Sequence, residues 1–198
     1  MIRINWDVFK VKNKDYTTAF ELLCYHIFCR RYGQTEGIIA DFNQAGLETM
    51  PCSFSDGKYY GFQAKFFDKV NYSNIKKSIN KALKLFTNDD HEKNQLNHII
   101  IFLNCNIQVS SKSAKEIVDI CAKKGVTVEW FLTNQFESVL NEPRNLDLAQ
   151  LLFGEPDKLG FILDSKNIRI NTLLLSEEYL ELELFGDEKR KSITDYSS

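Results

Sequence analysis

The sequence predicts an α/β fold in which helices flank a mixed β-sheet. Segments with the helical spacing of apolar residues alternate along the chain with short apolar segments typical of strands. An Asp56-Gly57 pair between two strand-like segments indicates an antiparallel hairpin. Strand, helix and strand then follow one another over residues 98–132, and this order predicts a right-handed parallel crossover. Antiparallel and parallel pairs in one sheet make it mixed.

The N-terminal half is expected to form one long helix followed by strands. Residues 16–32 are apolar on most sides when wound as a helix, which predicts an element packed into the core, and Gly33 is its expected stop. Residues 37–42 have the composition of a strand. The two arms of the hairpin, on either side of Asp56-Gly57, supply the next strands.

The C-terminal half is expected to alternate helices and strands. Ser73 is a good N-cap for an amphipathic helix over residues 74–86. The uninterrupted apolar run 98–104 is typical of a strand buried on both faces, so we place it at the centre of the sheet. The remaining expected elements are a helix over 112–124 ended by Gly125, a strand over 126–132, and short helices over 135–141 and 146–153.

The chain of 198 residues is long enough for one domain with a sizeable core. We assign residues 1–155 to this domain and residues 156–198, where the pattern loosens, to a C-terminal appendage or linker with a disordered polar end. No apolar run approaches the roughly 18–20 residues that cross a bilayer, and no signal-peptide pattern opens the chain. We therefore expect a cytoplasmic protein with no membrane partner.

The cysteines and histidines give no pattern typical of a metal site. The five cysteines are odd in number, scattered and never spaced as C-x-x-C, so we expect reduced core thiols; a zinc site or a reactive cysteine is the alternative. The three histidines, His26, His91 and His98, have no partner at metal-ligand spacing, and we assign them to structure.

The formal net charge of -2 conceals a basic segment. Between Lys58 and Lys84 the chain has seven lysines against the single acid Asp68. Such a segment is typical of a surface that binds phosphates, and it is equally typical of a solvated helix face.

Three polar residues of the hairpin are expected to converge. With a two-residue turn at Asp56-Gly57, Glu48 falls directly opposite Lys65, and Gln63 shares the face of Lys65 because side chains alternate along a strand. Directly opposed side chains have Cβ atoms about 4.5–5.5 Å apart, so the three groups can meet. The alternative is a surface ion pair between Glu48 and Lys65, and Pro51 argues against an unbroken ladder.

These groups suit phosphodiester hydrolysis. The carboxylate of Glu48 and the amide oxygen of Gln63 are hard ligands for Mg²⁺, and Mn²⁺ can substitute. The ammonium group of Lys65 would orient the attacking hydroxide and neutralise charge that develops on the phosphate.

The order and spacing of these motifs resemble the PD-(D/E)XK nuclease superfamily. The residues GLE at 46–48, a hairpin and then FQAKFF at 62–67 look like the form that carries Q-x-K, as in Mrr-like restriction endonuclease domains. The resemblance covers roughly residues 15–153. It implies a restriction-endonuclease-like mixed sheet flanked by helices.

The resemblance also implies roles for individual residues. Glu48 matches the first acid of the family and Gln63 and Lys65 match its Q-x-K, so that Glu48 and Gln63 would hold the metal and Lys65 would act in catalysis. Glu21, in AFELL, matches a glutamate that the preceding helix often adds to the site. The alternative for Glu21 is a capping box with Thr18, which requires the helix to start only at residue 19.

The implied function is a metal-dependent endonuclease that hydrolyses double-stranded DNA in bacterial antiphage defence. A sensor or NTPase module following the domain, and a homo-oligomer, are compatible with that role. Two alternatives stay open: a catalytically degenerate nuclease-fold module that binds nucleic acid or oligomerises, favoured by the neutral Gln63, and an RNA-cleaving enzyme with the same site. The lysines expected to contact backbone phosphates are Lys69, Lys76, Lys77, Lys81 and Lys84.

Overall fold

The computed structural model describes residues 4–34, 37–38, 46–87 and 96–153. The elements in the first part of the chain are α1 (Trp6–Lys12), α2 (Tyr16–Arg31), β1 (Cys52–Ser53), β2 (Tyr59–Lys65) and α3 (Tyr72–Phe86). Those in the second part are β3 (Leu96–Leu103), α4 (Lys112–Ala122), β4 (Thr127–Phe131), α5 (Thr133–Leu140), a single 3₁₀ turn (Pro143–Asn145) and α6 (Leu146–Phe153).

The four strands form one mixed sheet in the order β1-β2-β3-β4. β1 pairs with β2 in the antiparallel sense, whereas β2, β3 and β4 are parallel neighbours. β3 lies between two partners, and its last five residues are all buried, as its uninterrupted apolar run predicts. The predicted α/β class, a mixed sheet flanked by helices, is confirmed, and the arrangement is consistent with a restriction-endonuclease-like fold.

Each face of the sheet has its own apolar core. On one face, Phe62 and Ala64 of β2 pack with residues of α1, α2, α5 and α6. On the other face, Ile99 and Ile101 of β3 pack with residues of α3 and α4. Side chains that alternate along a parallel strand are buried on both faces, so the sheet is the middle layer of three.

Helix α2 begins at the predicted residue, whereas α3 begins two residues earlier than predicted. The side chain of Asp15 accepts a hydrogen bond from the main-chain N–H of Thr18, so α2 begins at Tyr16. The expected cap Ser73 is wrong, because Asn71 caps α3 and accepts from the main-chain N–H of Asn74. A capping box of Thr18 with Glu21 would require α2 to start at residue 19, and this condition is not met because α2 begins at Tyr16.

The hairpin has a different register from the predicted one. Phe54 and Lys58 close a three-residue loop in which Gly57 adopts a φ of +73°, and Cys52 pairs with Tyr60. A three-residue loop that ends in a left-handed glycine shifts the ladder by one residue relative to a two-residue turn. Glu48 is therefore not directly opposite Lys65.

Helix α1, which the sequence does not predict, completes an aromatic cluster. Trp6 makes edge or tilted ring contacts with five phenylalanines, and one of them, Phe66, directly follows β2. Phe9 stacks on the same Phe66 ring at a centroid distance of 5.8 Å. Edge-to-face aromatic pairs add stability beyond the area that they bury, so this cluster fixes the end of β2.

Several sequence predictions lie outside the described residues. They are most of the strand over 37–42, the domain boundary at 155 and the appendage over 156–198. All five cysteines are free thiols, and Cys24, Cys29 and Cys121 are buried. No helix in the described ranges is long and apolar enough to cross a membrane.

Candidate active site at the end of strand β2

Glu48 lies along the edge of β2 that β1 leaves uncovered. Its main-chain N–H donates to the carbonyl of Phe62 at 3.0 Å, and its Oε1 accepts a hydrogen bond from the N–H of Ala64 at 3.4 Å. The residue is only 4% exposed. The Nζ of Lys65 lies 3.5 Å from the same Oε1. The predicted contact between Glu48 and Lys65 is therefore present, although the strand register differs.

The side-chain amide group of Gln63 is buried. Its Nε2 donates to the carbonyl of Gly46 at 3.0 Å, which fixes the orientation of the amide group. The residue is fully buried, and its Oε1 accepts no hydrogen bond from any residue that the structure describes. An unsatisfied buried carbonyl oxygen costs about 1–3 kcal/mol, so a further ligand at this oxygen would be stabilising.

Glu21 projects from α2 towards the same region. Burial, and next the carboxylate of Glu48, raise the pKa of Glu21 to about 7, while Lys65 opposes the shift. Burial likewise raises the pKa of Glu48, against the effects of Lys65 and the N–H of Ala64. Two partly desolvated carboxylates therefore share the field of one ammonium group. That arrangement is favourable for a cation and for proton transfer near neutral pH.

The raised pKa of Glu21 predicts a pH-dependent effect of the substitution Glu21→Gln. Between pH 4.5 and about 7 the folded protein holds a proton that the unfolded chain releases, so wild type loses stability as the pH rises through this window. In the absence of divalent cations, we expect Glu21→Gln to raise the free energy of unfolding by about 1–2 kcal/mol at pH 8, a value reduced for solvent screening. Near pH 4.5 the difference should vanish.

Urea unfolding at several pH values measures this effect. Asp119→Asn is the matched control, because Asp119 is an exposed carboxylate on α4. A constant difference between wild type and Glu21→Gln from pH 4.5 to pH 8 would contradict the assignment.

A cleft opens beside Glu21 and Lys65, between the N-terminal parts of α2 and α3. The buried residues Glu48 and Gln63 are not in its described lining. Its volume is about 400 Å³, and Glu21, Lys65, Lys77 and Lys81 line it. The sequence prediction missed other polar residues of its wall, namely Thr17, Asn74 and Ser78. Asn74 and Ser78 could have been found from the sequence, because residues 74, 77, 78 and 81 have the i, i+3, i+4, i+7 spacing of one helix face.

The other predicted lysines are not in this cleft. Lys76 forms an ion pair with Glu116 of α4 at 2.5 Å, so the positive charge of Lys76 is already neutralised. Lys84 lines a separate groove between α3 and α4. Lys69 is exposed in the segment after β2. Of the five lysines expected to contact phosphates, Lys77 and Lys81 are the two that the structure brings to Lys65 and Glu21.

The end of β2 is held in place by the residues that follow Lys65. The side chain of Asn104, directly after β3, donates to the carbonyl of Phe67 at 3.0 Å and accepts from its N–H at 2.8 Å. Phe66 lies in the aromatic cluster of Trp6. These contacts fix the backbone next to Lys65 and so preorganise its side chain.

Within the described part of the chain, no three His, Cys, Asp or Glu side chains are grouped to hold a metal ion. The predicted ligand set is of another kind, because it combines carboxylates with the amide oxygen of Gln63. That oxygen is buried and receives no donor from the described residues. Carboxylate and carbonyl oxygens are the ligands that Mg²⁺ prefers, so these residues fit a hard divalent cation. No protein-family model matches the sequence, and no curated protein matches it.

Proposed function

We propose that this protein is a metal-dependent nuclease that hydrolyses phosphodiester bonds of double-stranded DNA in the cleft at the end of β2. The observation that carries the proposal is the buried Oε1 of Gln63, which accepts no hydrogen bond from any described residue. It lies on the strand that also places Lys65 against the buried carboxylate of Glu48. An ion pair between Glu48 and Lys65 that served structure alone would not require a buried acceptor on the same strand, whereas a bound cation would satisfy this oxygen.

Glu48 and Gln63 would hold Mg²⁺ or Mn²⁺ with Glu21 nearby. The bound cation would polarise the phosphate and lower the pKa of attacking water. The side chains then have separate tasks. Lys65 stabilises negative charge on the phosphate as it grows in the transition state. Glu21, with a pKa of about 7, can accept or donate a proton at neutral pH.

The lysines of α3 support a nucleic acid as the substrate. Lys77 and Lys81 are exposed, yet both line the cleft that contains Lys65. Ammonium groups at the rim of a cleft attract a phosphate backbone and position it without reading its sequence. We therefore assign Lys77 and Lys81 to substrate binding.

Cleavage of supercoiled plasmid by wild type, in Mg²⁺ and in EDTA, tests this function. We expect nicked and linear DNA in Mg²⁺ or Mn²⁺ and intact plasmid in EDTA. A folded RNA of similar length, offered in parallel, tests the substrate class. Cleavage that persists in EDTA, or intact DNA and RNA under every condition, would refute the proposal.

A second candidate function is an inactive nuclease-fold module that binds nucleic acid. The observation in its favour is that Glu48 Oε1 already receives the N–H of Ala64 and faces Lys65, contacts that a purely structural carboxylate also makes. Under this alternative, duplex DNA binds in a salt-dependent manner but remains intact in Mg²⁺. The plasmid assay, run beside a binding assay, separates the two functions.

A further inference from the structure

A second basic groove lies on the other side of α3, between α3 and α4. Its volume is about 380 Å³. Lys84 of α3 lines it together with Lys123 and Lys124, which directly follow α4, and the apolar side chains of Leu83 and Ile120 form part of its wall.

The three lysines of this groove give it a positive charge that no acidic residue of its described lining neutralises. No acidic residue belongs to its described lining, and none of its three lysines has an ion pair with a described residue. Lys76, on the same helix, shows the contrasting case because Glu116 pairs with it. Like charges gathered in one concave surface repel one another and are stabilised by an anion.

One row of lysines on α3 runs from the cleft to the groove. Lys77, Lys81 and Lys84 have the i, i+4, i+7 spacing, so they form one exposed stripe of α3. From Lys77 to Lys84 the helix rises about 10 Å, at 1.5 Å per residue. At roughly 3.4 Å of rise per base pair along the duplex axis, this length corresponds to about three base pairs of a duplex whose axis runs along α3.

We propose that the groove of Lys84, Lys123 and Lys124 binds backbone phosphates of the same DNA duplex, about 10 Å along α3 from the contact at Lys77. The inference rests on the proposed function for its ligand. It adds the direction in which the duplex leaves the cleft, across the stripe of α3 towards the end of α4. Several separate ammonium groups at this spacing favour a polyanion with a regular charge repeat over a single small anion.

The test is the binding of a fluorescent duplex of about 20 base pairs to the full chain at several salt concentrations in EDTA, where cleavage does not interfere. The double variant Lys123→Ala/Lys124→Ala is compared with Lys112→Ala/Lys115→Ala. The control removes the same charge from exposed positions at the other end of α4. Circular dichroism and thermal melting confirm that both variants fold.

We expect the groove variant to bind about 5–20-fold more weakly than wild type at 0.1 M salt. The slope of log Kd against log salt should fall by about 1–2, because each lost phosphate contact contributes roughly 0.9. The control should stay within about 2-fold. Equal losses in the two variants, or an unchanged slope, would overturn the groove assignment.

The plasmid assay on the same variants distinguishes a failure of the proposed nuclease function from a failure of the proposed phosphate-binding groove. Weak binding by the groove variant together with intact plasmid in wild type would uphold the groove and refute the nuclease. Cleavage by wild type together with unchanged binding by the groove variant would refute only the groove. A wild type that binds no duplex at low salt would overturn the groove outright.

Discussion

Replacing Lys65 with alanine should lower the rate of Mg²⁺-dependent DNA cleavage by about 100-fold or more. The Nζ of Lys65 lies 3.5 Å from a buried carboxylate oxygen of Glu48, and the side chain is about one quarter exposed in the cleft. A preorganised charge in a partly desolvated site is worth about 10²–10³ in rate when it faces charge that develops in the transition state.

Two further variants make this result specific. Lys65→Met keeps the apolar stem of the side chain and should be equally inactive, which separates the loss of charge from the loss of packing. Lys69→Ala removes an exposed lysine four residues later and should cleave within about 2-fold of wild type. Duplex binding should stay within about 3-fold in all three. Cleavage by folded Lys65→Met at the wild-type rate would show that Lys65 has no role in catalysis.

Gly46→Ala should lower the free energy of unfolding by about 3–5 kcal/mol or prevent folding. Gly46 has a φ of +96°, and a Cβ there would lie 2.2 Å from the carbonyl oxygen of Ser78 and 2.7 Å from the main-chain nitrogen of Ala82. Both atoms belong to the backbone of α3, which cannot yield as a flexible side chain can. The Gly46 carbonyl also accepts from Gln63 Nε2, so the same change disturbs the candidate metal ligand.

Gly57→Ala is the matched control for this prediction. Gly57 has a φ of +73°, but a Cβ there would meet no atom within 4 Å. The left-handed backbone conformation is then the remaining cost of alanine at this position, and it should lower the free energy of unfolding by about 1–2 kcal/mol. Urea unfolding of the two variants measures the difference, and equal losses would show that close approach to α3 does not matter.

The sequence alone predicts most of the fold because its local signals agree with the tertiary packing. The helix over residues 74–86 and the strand over 98–104 are recovered with small shifts in their ends. The amphipathic stripe of the helix and the continuous apolar run of the strand each have one obvious buried arrangement. The sheet class follows from the order of these elements.

Other features depend on contacts that local patterns do not contain. Helix α1 has only seven residues, too few for a reliable period, and it is fixed by the aromatic contacts of Trp6 and Phe9 with distant residues. The hairpin register depends on whether Ser55-Asp56-Gly57 forms a two-residue or a three-residue loop, and both loops favour glycine at the last position.

In the candidate site, too, some contacts follow from local sequence patterns and others depend on residues that are distant in the sequence. The contact of Glu48 with Lys65 was predicted from the hairpin, but from a register that is wrong. It is present because Glu48 lies beyond the regular ladder of β1 and β2, where its carboxylate reaches the N–H of Ala64 and the Nζ of Lys65. The pairing of Lys76 with Glu116 was not predicted, because the partners are 40 positions apart and meet only where α3 packs on α4. The unsatisfied Oε1 of Gln63 likewise depends on Gly46 holding the other end of the amide.

Mn²⁺ binding by wild type and by Gln63→Leu tests the central claim most directly. Leucine places an apolar side chain of comparable size in the buried position and removes the amide oxygen, together with the nitrogen that donates to Gly46. Free Mn²⁺ is followed by electron paramagnetic resonance, with and without a short DNA duplex. We predict one bound Mn²⁺ per wild-type chain and at least about 10-fold weaker binding by folded Gln63→Leu, as expected when a metal ligand is lost. Equal Mn²⁺ affinity in the two proteins, or no binding by wild type even with duplex, would contradict a metal site at Gln63 and Glu48.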